Sequence, residues 1–154
     1  MRLRRDGYEL SDDPRQLDVD AIWSFLRGAY WSPNVPRDVV ERSITHSLCL
    51  GLYAPGGEQA GFARAVTDRA TFAWIADVFV LEPHRGRGLG VWLVETLFEH
   101  PALADVRGIL LATADAHPLY ERFGFGPLED TERLMARRRS PAELYGSPAE
   151  KLTE

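Results

Sequence analysis

The chain has 154 residues, 45% hydrophobic and 27% charged, proportions that exclude disorder, collagen-like repeats and coiled coil and leave one globular domain with a core of its own. Cys49 is the single cysteine, which excludes an intrachain disulfide and a multi-cysteine metal site, and no metal is expected. A formal charge of −5 argues against nucleic acid, no apolar run has membrane-spanning length, and the basic start lacks the apolar core of a signal peptide, so a cytoplasmic protein without membrane association is expected.

Residues 4–10 read as a short first strand. Asp18 then caps a helix whose Val19, Ile22, Phe25, Leu26 and Ala29 recur on one face. Tyr30 and Trp31 open a loop that ends at Pro36, a residue suited to the first turn of a second helix with Val39, Val40, Ile44 and Ser47 on one side. Residues 48–53 form a strand that stops at Pro55-Gly56-Gly57. Residues 59–66 and 71–80 are the next strands, and the short polar link between them predicts an antiparallel hairpin.

A helix is expected from about Gly88 to Glu99, with Leu89, Trp92, Leu93, Leu97 and Phe98 on its buried face. Residues 107–112 are strongly apolar and read as a central strand. Asp115 is expected to cap a short helix through Tyr120 and Phe123 that ends at Gly124. Two short strands fill residues 126–139, and residues 140–154 form a partly ordered C-terminal tail on a single domain spanning 1–139. The order β, α, α, β, β, β, α, β, α, β, β is mixed α/β with helices on both faces of the sheet.

The feature that carries chemistry is a strand running into Arg85-Gly86-Arg87-Gly88-Leu89-Gly90 and then a helix. Glycines let backbone N–H groups turn inward around a bulky anion, and the helix start adds about half a positive charge. Together with Arg85 and Arg87 this makes a phosphate or pyrophosphate cradle. A dinucleotide fold would place its glycines in the first βα turn, and a phosphate loop would follow them with a lysine. Neither pattern is met.

Here the sequence resembles the GNAT superfamily of acyl-CoA-dependent N-acyltransferases. The family's Gln/Arg-x-x-Gly-x-Gly/Ala motif is matched by Arg85, Gly88 and Gly90 after Asp77-Val78-Phe79-Val80, and a second signature by Leu119-Tyr120 followed by Gly124-Phe125. The resemblance implies a mixed, mostly antiparallel sheet splayed into a V. It implies that backbone groups at Val78, Phe79 and Val80 hold the pantetheine arm and thioester carbonyl of acetyl-CoA. Arg85 and the amides of Gly86, Arg87, Gly88, Leu89, Gly90 and Val91 would bind the pyrophosphate, and Thr113 stands where the family often has a cofactor-contacting Asn. Tyr120 would be the general acid that protonates the leaving thiolate.

The positions where such enzymes carry a side-chain base are Trp74 and Ala76, which cannot accept a proton. Asp77 is the nearby carboxylate, acting through water or pairing structurally; strand alternation turns it to the other face unless a bulge intervenes. Tyr30, Trp31 and Trp74 are candidate walls of the acceptor pocket. The leading expectation is acetyl transfer to a primary amine of a small molecule. A protein-lysine or N-terminal acetyltransferase and a non-catalytic acyl-CoA-binding sensor are the alternatives, and the resemblance adds a homodimer by analogy.

Overall fold

The structure is a computed structural model that describes residues 1–146. Residues 147–154, the outer part of the expected tail, lie outside the described residues. The first departure from the sequence reading comes at once. Asp6 and Gly7 take φ of 52° and 83°, the left-handed pair of a tight two-residue hairpin turn, so residues 4–10 are not one strand. They belong to a hairpin of β1 (Arg2–Arg5) and β2 (Tyr8–Ser11).

The sheet continues through β3 (Leu48–Tyr53), β4 (Gln59–Thr67), β5 (Phe72–Val80) and β6 (Gly108–Leu111). Its six strands lie in chain order, each antiparallel to the next except that β6 runs parallel to β5. The expected β4–β5 hairpin is present. Asp68 closes its turn by accepting the backbone N–H groups of Ala70, Thr71 and Phe72 and the Thr71 hydroxyl.

Strand alternation divides the apolar side chains between two cores. Leu48, Leu50, Leu52, Ala63, Ala65 and Ile75 face α3 (Leu89–Phe98), which returns Leu89, Trp92, Leu93 and Leu97. Cys49, Phe62 and Phe79 face α1 (Val19–Leu26) and α2 (Arg37–Thr45), which return Ile22, Leu26, Val40 and Ile44. Asp18 caps α1 as its position predicts, its carboxylate accepting the Ala21 N–H at 3.0 Å. The result is a mixed α/β sheet with helices on both faces.

Three further expectations are corrected. The apolar run near residue 110 is not central: β6 is the edge strand, and its four residues are only half-buried. Asp115 does not cap α4 (His117–Glu121); the Thr113 hydroxyl accepts the N–H groups of Asp115 and Ala116 instead. No strand forms in residues 126–139, which hold a 3-10 turn at Thr131–Arg133 and are exposed throughout. Beyond them, α5 (Pro141–Tyr145) is closed by a capping box between Ser140 and Glu143.

Candidate active site

The cleft exists because β5 outruns its neighbour. Pairing with β6 covers only Phe72–Ile75 against Gly108–Leu111, whereas pairing with β4 continues to Val80. Past Ile75 the two parallel strands part. Leu81 donates its N–H to Ala60 of the β4 side, so alternation turns the backbone polar groups of Val78 and Val80 toward the open side. These are two of the three positions expected to hold the pantetheine arm. The third expected position, Phe79, offers the open side nothing: its backbone pairs with Phe62 of β4, and its ring stacks on Phe25 at 3.8 Å between centroids.

A β-bulge lies between these residues and the rest of the strand. Phe62 pairs with Phe79 and Arg64 with Ala76, so β5 carries one residue more than β4 across this span. Asp77 sits in the bulge with φ of 54°. The bulge turns its carboxylate into the cleft, against simple alternation. There Oδ2 accepts Arg64 Nε at 2.7 Å and Oδ1 accepts the indole N–H of Trp31 at 3.0 Å. Both oxygens of Asp77 are therefore engaged. Arg64 also donates to the Ser47 hydroxyl at 3.1 Å.

The cleft encloses about 660 Å³. Ala76, Asp77 and Val78 of β5 line it together with Thr113 and Tyr120. Trp74, Tyr30 and Trp31 line it as well, so the three expected acceptor-pocket aromatics share one cavity with Tyr120. Tyr30 is 61% exposed, yet its hydroxyl accepts the Ala114 N–H at 3.2 Å and ties the α1–α2 loop to the β6–α4 loop. Tyr120 is buried, lines the cleft, and its hydroxyl has no hydrogen-bond partner among the described residues. Burial pushes its phenol above the ordinary value, and nearby Tyr30 and Asp115 push it further the same way.

Some wall residues escaped the sequence reading. Leu144 and Tyr145 of α5, with Arg139 before it, close the side of the cleft that faces α2, and the Asn34 side chain donates to the Gly146 carbonyl at 3.4 Å. Arg64 left a signal: it is a lone charge inside the apolar run 60–66, which requires a buried partner. The α5 contribution left none, since its short apolar pair resembles any surface turn.

The glycine turn lies outside this cleft, at the start of α3. Gly86 and Gly88 have φ of 76° and 73°, and a side chain built on Gly86 would meet open space. The amides of residues 86–91 donate no hydrogen bond among the described residues, leaving a row of N–H groups at a helix start. Arg85 folds back so that Nε donates to the Val80 carbonyl at 2.8 Å, joining the turn to the open edge of β5. An open strand edge leading to a ring of free amides suits a long ligand with a pantetheine-like arm and a pyrophosphate. Among the described residues no helix is long and apolar enough to cross a membrane.

Comparison with known proteins agrees with this geometry. Residues 13–125 match the Acetyltransferase (GNAT) family. A Gibberella zeae protein assigned as an acetyltransferase is 31% identical over 136 residues, covering 75% of this chain and 77% of that protein. A crystal structure of a GNAT-family protein from Xanthomonas campestris pv. campestris superposes with a TM-score of 0.86 at 41% identity, covering 91% of this chain and 97% of that one. An acetyltransferase structure from Clostridium acetobutylicum, solved with acetyl-CoA, has the same fold, with a TM-score of 0.62 at 14% identity over 89% of this chain and 96% of that one.

Proposed function

The chain belongs to the GNAT acetyltransferase family, and on that premise we propose that it transfers the acetyl group of acetyl-CoA to a primary amine of a small molecule. The observation that carries this reading is the Tyr120 hydroxyl, which has no hydrogen-bond partner among the described residues and belongs to a side chain lining the same cleft as Val78 of the open edge of β5. Acetyl-CoA would lie with its pyrophosphate at the amides of residues 86–91 and its pantetheine along Val78 and Val80.

The chain's groups then divide the reaction between them. A neutral amine attacks the thioester carbonyl carbon, and the C–N bond forms. A backbone N–H at Val78 stabilises the oxyanion, a contribution of about 10²–10³ in rate for one well-placed donor. The C–S bond breaks as Tyr120 gives its proton to the departing thiolate, and the nitrogen releases its surplus proton to water. Tyr120 suits this donation because its raised pKa keeps it protonated at neutral pH. With both oxygens bound, Asp77 serves as a positioning residue that holds Trp31 and Arg64, and water takes the role of base.

A small acceptor is favoured over a protein segment by the Tyr30–Ala114 hydrogen bond, which bridges the two loops flanking the cleft, and by α5, which walls another side. An extended peptide would have to break that bridge to pass. The engaged state of Asp77 supports one rival, an acyl-CoA-binding domain without turnover. Calorimetric titration with acetyl-CoA, followed by thiol release with a panel of small primary amines, separates the two. Amine-dependent thiol release sustains the enzyme reading; tight binding with no release under any amine sustains the rival. No binding at millimolar acetyl-CoA overturns both.

A further inference from the structure

The β1–β2 hairpin stands at the far end of the sheet from the cleft, and β1 buries none of its residues. From β1, Arg5 reaches across to α3. The guanidinium of Arg5 donates to the Gly88 carbonyl at 3.1 Å and lies over the Trp92 ring, 4.8 Å from its centroid. The same Gly88 carbonyl accepts the Trp92 N–H at 3.2 Å, so both donors converge on the first peptide of α3. A second tie from the hairpin lies just upstream, where the Tyr8 hydroxyl and His84 Nδ1 share a hydrogen bond of 2.9 Å. The hairpin thus brackets the glycine turn at residues 84 and 88.

We propose that Arg5 is a positioning residue for the acyl-CoA cradle, acting through the Gly88–Leu89 peptide. This inference rests on the reading that the turn binds acyl-CoA. The Gly88 carbonyl and the Leu89 N–H belong to one planar unit and point in opposite directions. Holding the carbonyl toward Arg5 therefore holds the Leu89 N–H toward the anion side. Gly88 needs that hold, since at φ of 73° a glycine has broad freedom and no side chain to restrain it. Arg5 makes no ion pair among the described residues, so its charge also adds to the potential at the helix start. A planar guanidinium can stack on an indole and donate in its own plane at once; a lysine ammonium cannot.

The test compares wild type with Arg5→Gln and Arg5→Lys, using Arg4→Gln as control because Arg4 pairs with Glu9 and does not touch the turn. Arg5→Gln should weaken acetyl-CoA binding about 3- to 10-fold, the size of one exposed charged hydrogen bond with a cation–π contact, and leave kcat at saturating acetyl-CoA within about twofold. Arg5→Lys should recover only part of the loss. In the protein without ligand, Arg5→Gln should speed amide exchange of the peptide covering residues 86–92. Unchanged affinity and exchange in Arg5→Gln, or full recovery in Arg5→Lys, would overturn the positioning role. Faster exchange in a protein that fails to bind acetyl-CoA at all would uphold the clamp and sink the acyl-CoA reading instead.

Discussion

Trp31, on the loop between α1 and α2, donates its indole N–H to the carboxylate of Asp77, which stands 46 residues away on a strand bulge. Arg64 holds the other oxygen, and the three side chains tie the α1–α2 loop to the sheet. The Arg64 and Asp77 side chains are only 15% and 10% exposed, so removing one partner leaves a charge in a largely dry setting. Asp77→Asn should cost roughly 2–4 kcal/mol, somewhat below the figure for a fully buried pair, and lower Tm accordingly. The same variant separates positioning from base catalysis. At a temperature where it is folded, its pH–rate profile should keep the acid limb of the wild type. Loss of that limb would make Asp77 the base. Trp31→Phe should raise KM for the amine and leave KM for acetyl-CoA unchanged.

Tyr120→Phe removes the proton donor and little else, because the hydroxyl has no partner among the described residues to leave stranded. We expect kcat to fall by about 10²-fold, with acetyl-CoA affinity held within about threefold. Burial raises the phenol above its ordinary value of 10.0, so the protonated, donating form persists throughout the neutral range. The wild-type rate should rise with pH as the amine deprotonates, and decline only above the ordinary phenol value of 10.0. Tyr120→Phe should lack that alkaline decline. An equal loss of acetyl-CoA affinity and turnover would remove Tyr120 from its role as general acid.

Local rules carried most of the fold. The Asp18 cap, the span of β3 and the β4–β5 hairpin each follow from residues within a few positions of one another. The failures have equally specific causes. Asp6-Gly7 is a strong two-residue turn, but Leu3, Tyr8 and Leu10 around it pass for one short strand when the turn is overlooked. Residues 108–111 are apolar enough for a central strand, and periodicity does not reveal that nothing flanks them on the outer side. At the site, glycine spacing marked the left-handed turn before α3, because backbone conformation is a local demand. Structural pairing of Asp77 was legible only as one of two alternatives, since the choice depends on a bulge in β5 and on Arg64 and Trp31 from distant elements. Arg5 lay further out of reach: its 83-residue separation from Gly88 becomes a contact only once α3 crosses the sheet.

Asp68 gives the β4–β5 turn a pH dependence of definite sign. Hydrogen bonds from the Thr71 hydroxyl and from the turn's amides hold its carboxyl well below the ordinary 3.8. A group whose folded-state pKa is depressed contributes stability that is present above its unfolded pKa and lost as the pH falls through the folded one. Asp68→Ala should therefore lower Tm at neutral pH, and the gap from wild type should persist down to about pH 4 and narrow below it. Thermal melts from pH 7 to pH 2 provide the check. A gap that stays constant below pH 3 would mean that the carboxylate's charge has no part in the turn's stability.

Cys49 lies on the face of β3 that packs against α1 and α2, and its thiol points at the Ile44 carbonyl, 3.7 Å away. Burial pushes the thiol up from 9.0 to about 12, so near neutral pH the thiolate is about a thousandfold scarcer than in an ordinary cysteine. Native protein at pH 8 should leave a disulfide reagent such as DTNB unconsumed over the time of an assay, and denatured protein should consume one equivalent, since the chain has one cysteine. This matters for the function test, because thiol released from acetyl-CoA can then be read with the same reagent against a silent background. Rapid labelling of the native protein would require the seam between β3 and α2 to open on that timescale. It would place a local opening at the helix face beside the cleft.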